Sequence, residues 1–103
     1  MTFAGSLPEG ALVRFMKANF DRLVDASAKA AQNAVKTFAN PPELALLVSC
    51  VGRKLVLGQR TEEEVEAARD IFGPKPTITG FYSYGEISPL NPTSHCELHN
   101  QTM

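Results

Sequence analysis

The chain has no tryptophan, no surplus of charge of either sign and no internal repeat. Its 10 lysines and arginines are scattered and are met by 11 acids, so the clustered basic surface that a phosphate backbone requires is missing. Nucleic acid is therefore not an expected partner. No apolar run approaches the roughly 20 residues of a membrane span. The opening Met1 to Gly10 has no basic region followed by an apolar stretch, so no secretory signal and no membrane anchor are expected. There are 2 cysteines, Cys50 and Cys96, in different segments. They are too few for a disulfide framework, which points to a reducing cytoplasm. Glycine-rich phosphate loops, dinucleotide fingerprints and a serine nucleophile elbow are all lacking. Glu86 has no partner carboxylate beside it for glycosidase-type acid–base work. The expectation is a protein that is not an enzyme and carries no cofactor.

What is present fits one small folded unit. At 103 residues, 44% apolar and 20% charged, the chain supports a single domain that buries roughly two thirds of its unfolded surface. Ala11 to Ala18 mixes Leu12, Val13, Phe15 and Met16 with polar positions and reads as a strand. Asn19 then offers a capping oxygen. Phe20, Leu23, Val24, Ala30, Ala31, Ala34 and Phe38 recur at three- and four-residue steps, which predicts a helix to about Ala39. Asn40-Pro41-Pro42 ends it. Leu44 to Val51 is an apolar run without helical period and reads as a strand covered on both faces. Lys54 to Gly58 fits a further strand or a helical turn. Thr61 with Glu64 fits a capping box, Val65, Ala68, Ile71 and Phe72 form an apolar stripe, and Gly73-Pro74 closes the helix.

Gly80 to Pro89, Gly-Phe-Tyr-Ser-Tyr-Gly-Glu-Ile-Ser-Pro, has the aromatic content of a strand but carries two glycines. These mark a bulge or a close approach by backbone or ligand. Cys96 to Met103 alternates weakly as one more strand. The fold class implied is α+β, a single layer of mixed or antiparallel sheet with two main helices packed on it.

Three chemistries have candidate residues. Cys50 with His99 raises a cysteine-dependent reaction, set against the commoner role of a buried thiol as a small apolar side chain. Cys96 and His99 have Cys-x-x-His spacing, but Cys50 and His95 are the remaining soft donors, too sparse a set for a structural zinc. A small-ligand pocket is better supported. Phe81, Tyr82 and Tyr84 supply walls, and Arg53 and Glu86 supply opposite charges for the carboxylate and ammonium of an amino acid. The plain alternative is a salt bridge between Arg53 and Glu86 that ties two segments together.

Ser49-Cys50-Val51-Gly52-Arg53, Gly80 to Pro89 and Leu98-His99-Asn100-Gln101-Thr102 together resemble the C-terminal part of the FIST domain. That family is a sensory input domain of bacterial and archaeal signalling proteins, with relatives in eukaryotic F-box proteins. The resemblance runs from about Pro8 onward, including the Leu-Gly and Thr-Glu-Glu-Glu stretch between the motifs. It implies a non-catalytic sensor of small molecules, amino acids in particular, that feeds chemoreceptors, histidine kinases or cyclic-dinucleotide enzymes. The ligand contacts it implies are Cys50, Gly52, Arg53, Tyr82, Gly85, Glu86, His99 and Asn100. It also implies that residues 1–103 are a single domain, the C-terminal fragment of a FIST-type sensor, whose partners are the N-terminal FIST half and a downstream signalling domain or protein. The alternative is a structural or interaction module without a ligand of its own, whose exposed strand edge meets a partner or a second copy in a homodimer.

Overall fold

A computed structural model of the chain describes residues 7–36, 38–89, 94–99 and 102–103. The first helix, α1, spans Phe20–Val35. Asn19 caps it as its spacing predicts: the residue is extended, and its Oδ1 accepts a hydrogen bond from the Arg22 amide at 3.1 Å. Leu23, Ser27 and Ala31, four positions apart, turn inward, and the last two are buried.

The run after the proline pair is β1, Leu44–Cys50, and it leads directly into a short helix, α2, Val51–Leu57. The open choice at Lys54 to Gly58 thus resolves to helix up to Leu57. A 3₁₀ turn at Gly58–Arg60 follows, then α3, Thr61–Phe72. Gly73 takes φ 79° and its amide bonds the Arg69 carbonyl at 2.8 Å, the left-handed closure expected of it. The start of α3 differs from the reading. Its cap is Arg60, with no side-chain capping bond, and the capping box of Thr61 and Glu64 is not made. Glu64 is instead 1% exposed and committed elsewhere.

Gly80 to Pro89 is not one bulged strand. Thr77–Ser83 forms β2, the chain breaks at Tyr84 and Gly85, and Glu86–Pro89 forms β3 in another sheet. Cys96–His99 is β4. β1 and β2 pair in parallel with Leu46 opposite Thr79 and Ser49 opposite Tyr82, while β3 and β4 pair antiparallel with Glu86 opposite His99. The arrangement is α+β, with strands of both orientations divided between two two-stranded sheets.

Gly80 explains itself in this register. A Cβ there would lie 2.2 Å from the Leu47 carbonyl oxygen, so the close approach is that of the neighbouring backbone.

Two expectations are corrected. Ala11 to Ala18 is not a strand: residues 11–19 run without turn, bend or ladder partner, and all are exposed. A strand needs a neighbour to satisfy its backbone, and none of the described residues supplies one. Nor is β1 covered on both faces. Ala45 and Ser49 are buried, while Leu44 and Leu46 on the opposite face are 61% and 60% exposed, as is much of Phe81 on β2.

Candidate functional site

The largest fully buried side chains are Arg53, Glu64 and Ser27, all polar. Arg53 sits one helical position past Gly52 on α2, immediately after β1, and its exposure is 2%. Its Nε donates a short hydrogen bond to Glu64 Oε1, and its Nη2 donates to the Leu23 carbonyl on α1 at 2.6 Å. Ser49 Oγ donates to the same Glu64 Oε1 at 3.0 Å, and Ser27 Oγ donates to the Glu64 backbone carbonyl at 2.6 Å. One buried ion pair therefore ties α1, α2, α3 and β1 together. Charges in such a place are tolerated only when paired and hydrogen-bonded. Glu64 is incomplete in this respect. Its Oε2 is buried without a hydrogen-bond partner among the described residues.

Glu64 also forms part of the wall of a cavity of about 190 Å³. Leu47, Val65, Ile78, Tyr82 and Met103 give it apolar sides, and Ser49 adds a hydroxyl. The Tyr82 hydroxyl is held above its ordinary value of 10.0, first by burial and then by the negative charge of Glu64, with Arg53 pulling the other way. Lys54 Nζ stands 5.1 Å from the Tyr82 ring centre, a cation over an aromatic face. A mostly apolar cavity with one unsatisfied carboxylate oxygen is equipped to hold a small molecule that donates a hydrogen bond.

Cys50, Gly52, Arg53, Tyr82, Gly85 and Glu86 gather around the C-terminal ends of β1 and β2. Cys50 is buried, and its Sγ accepts from the Gly52 amide at 3.4 Å; it ends β1 opposite Ser83. Arg53 lies in the buried network and Tyr82 in the cavity wall. Glu86 is half-buried and tethered to the same end, since Ser83 Oγ donates to its Oε1 at 2.5 Å. Its Oε2 is likewise buried and unpartnered among the described residues. The ion pair weighed between Arg53 and Glu86 is not formed, because Glu64 holds the guanidinium. His99 faces Glu86 across the β3–β4 ladder, and its Nε2 donates to the Ser88 carbonyl at 3.0 Å. Gly85 links the two sheets, and Asn100 lies outside the described residues. Cys96 is exposed, and no cluster of three metal-donor side chains occurs among the described residues.

Glu64 is the residue that sequence reasoning missed. The signal was present. Glu64 stands four positions before Ala68, on the apolar stripe of α3, where a solvated acid has no place. Ser27 sits the same way between Leu23 and Ala31 on α1.

No helix among the described residues is long and apolar enough to cross a membrane. A family model described as the FIST C domain matches residues 1–89. The match ends with β3, so Leu98 to Thr102 lies beyond it. No curated protein and no solved structure matches the chain.

Proposed function

This chain belongs to the FIST C domain family, a sensory domain of signal transduction proteins, and from that premise we propose that it binds a small molecule in the Glu64 cavity. One atom carries the reading. Glu64 Oε2 is buried without a partner among the described residues, in a residue that walls an apolar cavity, and a buried acceptor left open costs about 1–3 kcal/mol that a donor restores.

Size and charge narrow the ligand. A cavity of about 190 Å³ is only slightly larger than an apolar cavity of about 150 Å³ that takes benzene. Arg53 and Glu64 already sum to zero, so a guest with net charge would leave that charge uncompensated in a buried place. A small zwitterion meets both conditions. Its ammonium donates to Glu64 Oε2, and its short side chain lies against Leu47 and Ile78. An amino acid with a small apolar side chain is the ligand class that follows.

The module is a binding rather than a catalytic one. Its guanidinium is engaged by a carboxylate and a carbonyl, and its buried thiol caps a helix. Occupancy of Glu64 is felt directly at α1, through Leu23 and Ser27, which gives a route from ligand to a neighbouring signalling domain or an N-terminal FIST half in the cytoplasm.

A thermal-shift screen against small amino acids tests this. Ligand at one hundred times its dissociation constant adds about 2.7 kcal/mol to the folded state. The N-acetylated forms of any hit, which lack the ammonium, are expected to give no shift. A flat screen on the folded chain, or a hit indifferent to N-acetylation, overturns the reading.

A further inference from the structure

The Glu64 cavity has a neighbour. It lies between α3 and the two strands, with Glu64 and Val65 on one side and Ile78 and Tyr82 on the other. A second space, of about 140 Å³, lies between α1, α3 and β1. Its wall on α1 is Ala30, Ala31 and Ala34, residues whose side chains end at Cβ and leave room beside the helix. Ala68 and Phe72 line it from α3.

The two walls share two residues, Leu47 and Met103. These side chains therefore form the partition between the spaces. Neither space alone reaches the roughly 300 Å³ at which small-molecule pockets begin, whereas the two together do.

The halves of the partition are not equally fixed. Leu47 is held in the β1–β2 ladder opposite Gly80. Met103 is half-buried and belongs to no helix or strand. It is placed by its neighbour, since the Thr102 carbonyl accepts a hydrogen bond from the Cys50 amide at 2.9 Å. That bond sets the backbone beside β1. The unbranched thioether then fills the gap by its choice of rotamer, a role to which methionine is suited.

We propose, on the reading that an amino acid binds at Glu64, that Met103 sets the length of side chain the site accepts. A short side chain ends against Leu47. A longer one has to pass Met103 to reach the space lined by alanine, and the thioether stands in its way. Met103 is thus a specificity-determining residue for amino acids with small side chains over those with long apolar ones.

Isothermal titration of the wild type is expected to favour alanine over leucine by at least about tenfold. Met103→Ala is expected to reverse that order, and N-acetyl-leucine, without an ammonium, is expected not to bind it. Met103→Leu, which nearly keeps the volume, is expected to keep the wild-type order. A wild type that takes both amino acids equally, or a Met103→Ala variant that still prefers alanine, overturns the proposal. If neither protein takes any amino acid, the reading of the Glu64 site fails, and the partition is judged by an apolar probe instead. A single bound butylbenzene is expected to give nuclear Overhauser contacts to the methyls of both Val65 and Ala34 in Met103→Ala only. These residues line different spaces. Contacts to both in the wild type, or to fewer than both in the variant, overturn the partition.

Discussion

The two faces of the β1–β2 pair invert the usual distribution of chemistry. Between the helices and one face, Ser49 of β1 is held out of water with an arginine, a glutamate and a serine from the helices, whereas the opposite face shows Leu44, Leu46 and Phe81, each more than half exposed. Apolar burial contributes about 25 cal/mol per Å², so a chain selected for stability alone would have the leucines inside. A buried ion pair adds little or nothing net beyond an apolar replacement, but it fixes one arrangement of the elements it bonds. The covered face therefore trades stability for geometry. The open face leaves large apolar side chains in water.

The sharpest way to break this contrast is to remove one member of the pair. Arg53→Met is expected to cost about 3–5 kcal/mol, because Glu64 is left charged and buried; urea denaturation measures it. Arg53→Met with Glu64→Leu is expected to return to near the parent stability. A double variant as unstable as the single one would show that the two residues do not act as a unit.

Gly80→Ala follows in size. Its Cβ meets the Leu47 carbonyl, which is backbone and cannot swing aside, so a loss of about 1–3 kcal/mol or more is expected from forcing the strands apart. Ser27→Ala removes one bond to the Glu64 carbonyl and should cost about 1 kcal/mol. Leu44→Lys on the open face should stay within about 0.5 kcal/mol. A large loss there would mean that this face is covered in the native state.

The smallest effect belongs to the surface cluster at the helix starts, where Arg60 Nη2 reaches Glu63 Oε2 at 2.7 Å and Asp21 Oδ1 at 3.0 Å. The hydrogen bond from Arg60 holds the Glu63 carboxyl below its ordinary 4.5. Its contribution is thus fully present above that value and is lost as pH falls through the lower folded one. An acid titration of stability in low salt should show this slope. It should flatten in high salt and in Arg60→Gln.

Local rules found most of the fold. The Asn19 cap, the period of α1, the Gly73 closure and the apolar run of β1 each declare themselves within a few residues, and each is observed. The failures share a cause: the deciding partner is distant in sequence. Thr61 and Glu64 have the spacing of a capping box, but Arg53 and Ser49 compete for the acid and win. Arg53 was rightly singled out, yet spacing cannot say which of 11 acids will meet it, and Glu64 rather than Glu86 does. Ala11 to Ala18 has strand composition, but composition does not supply a neighbour.

The buried pair also bears on how such a chain changes over generations. A lineage that loses either Arg53 or Glu64 first passes through a form that barely folds, whereas one that replaces both at once loses little. Stepwise drift at these two positions is therefore closed, and related chains are expected to keep both residues or neither. A well-folded relative with the arginine and only apolar residues around it would show that the valley between the two forms can be crossed.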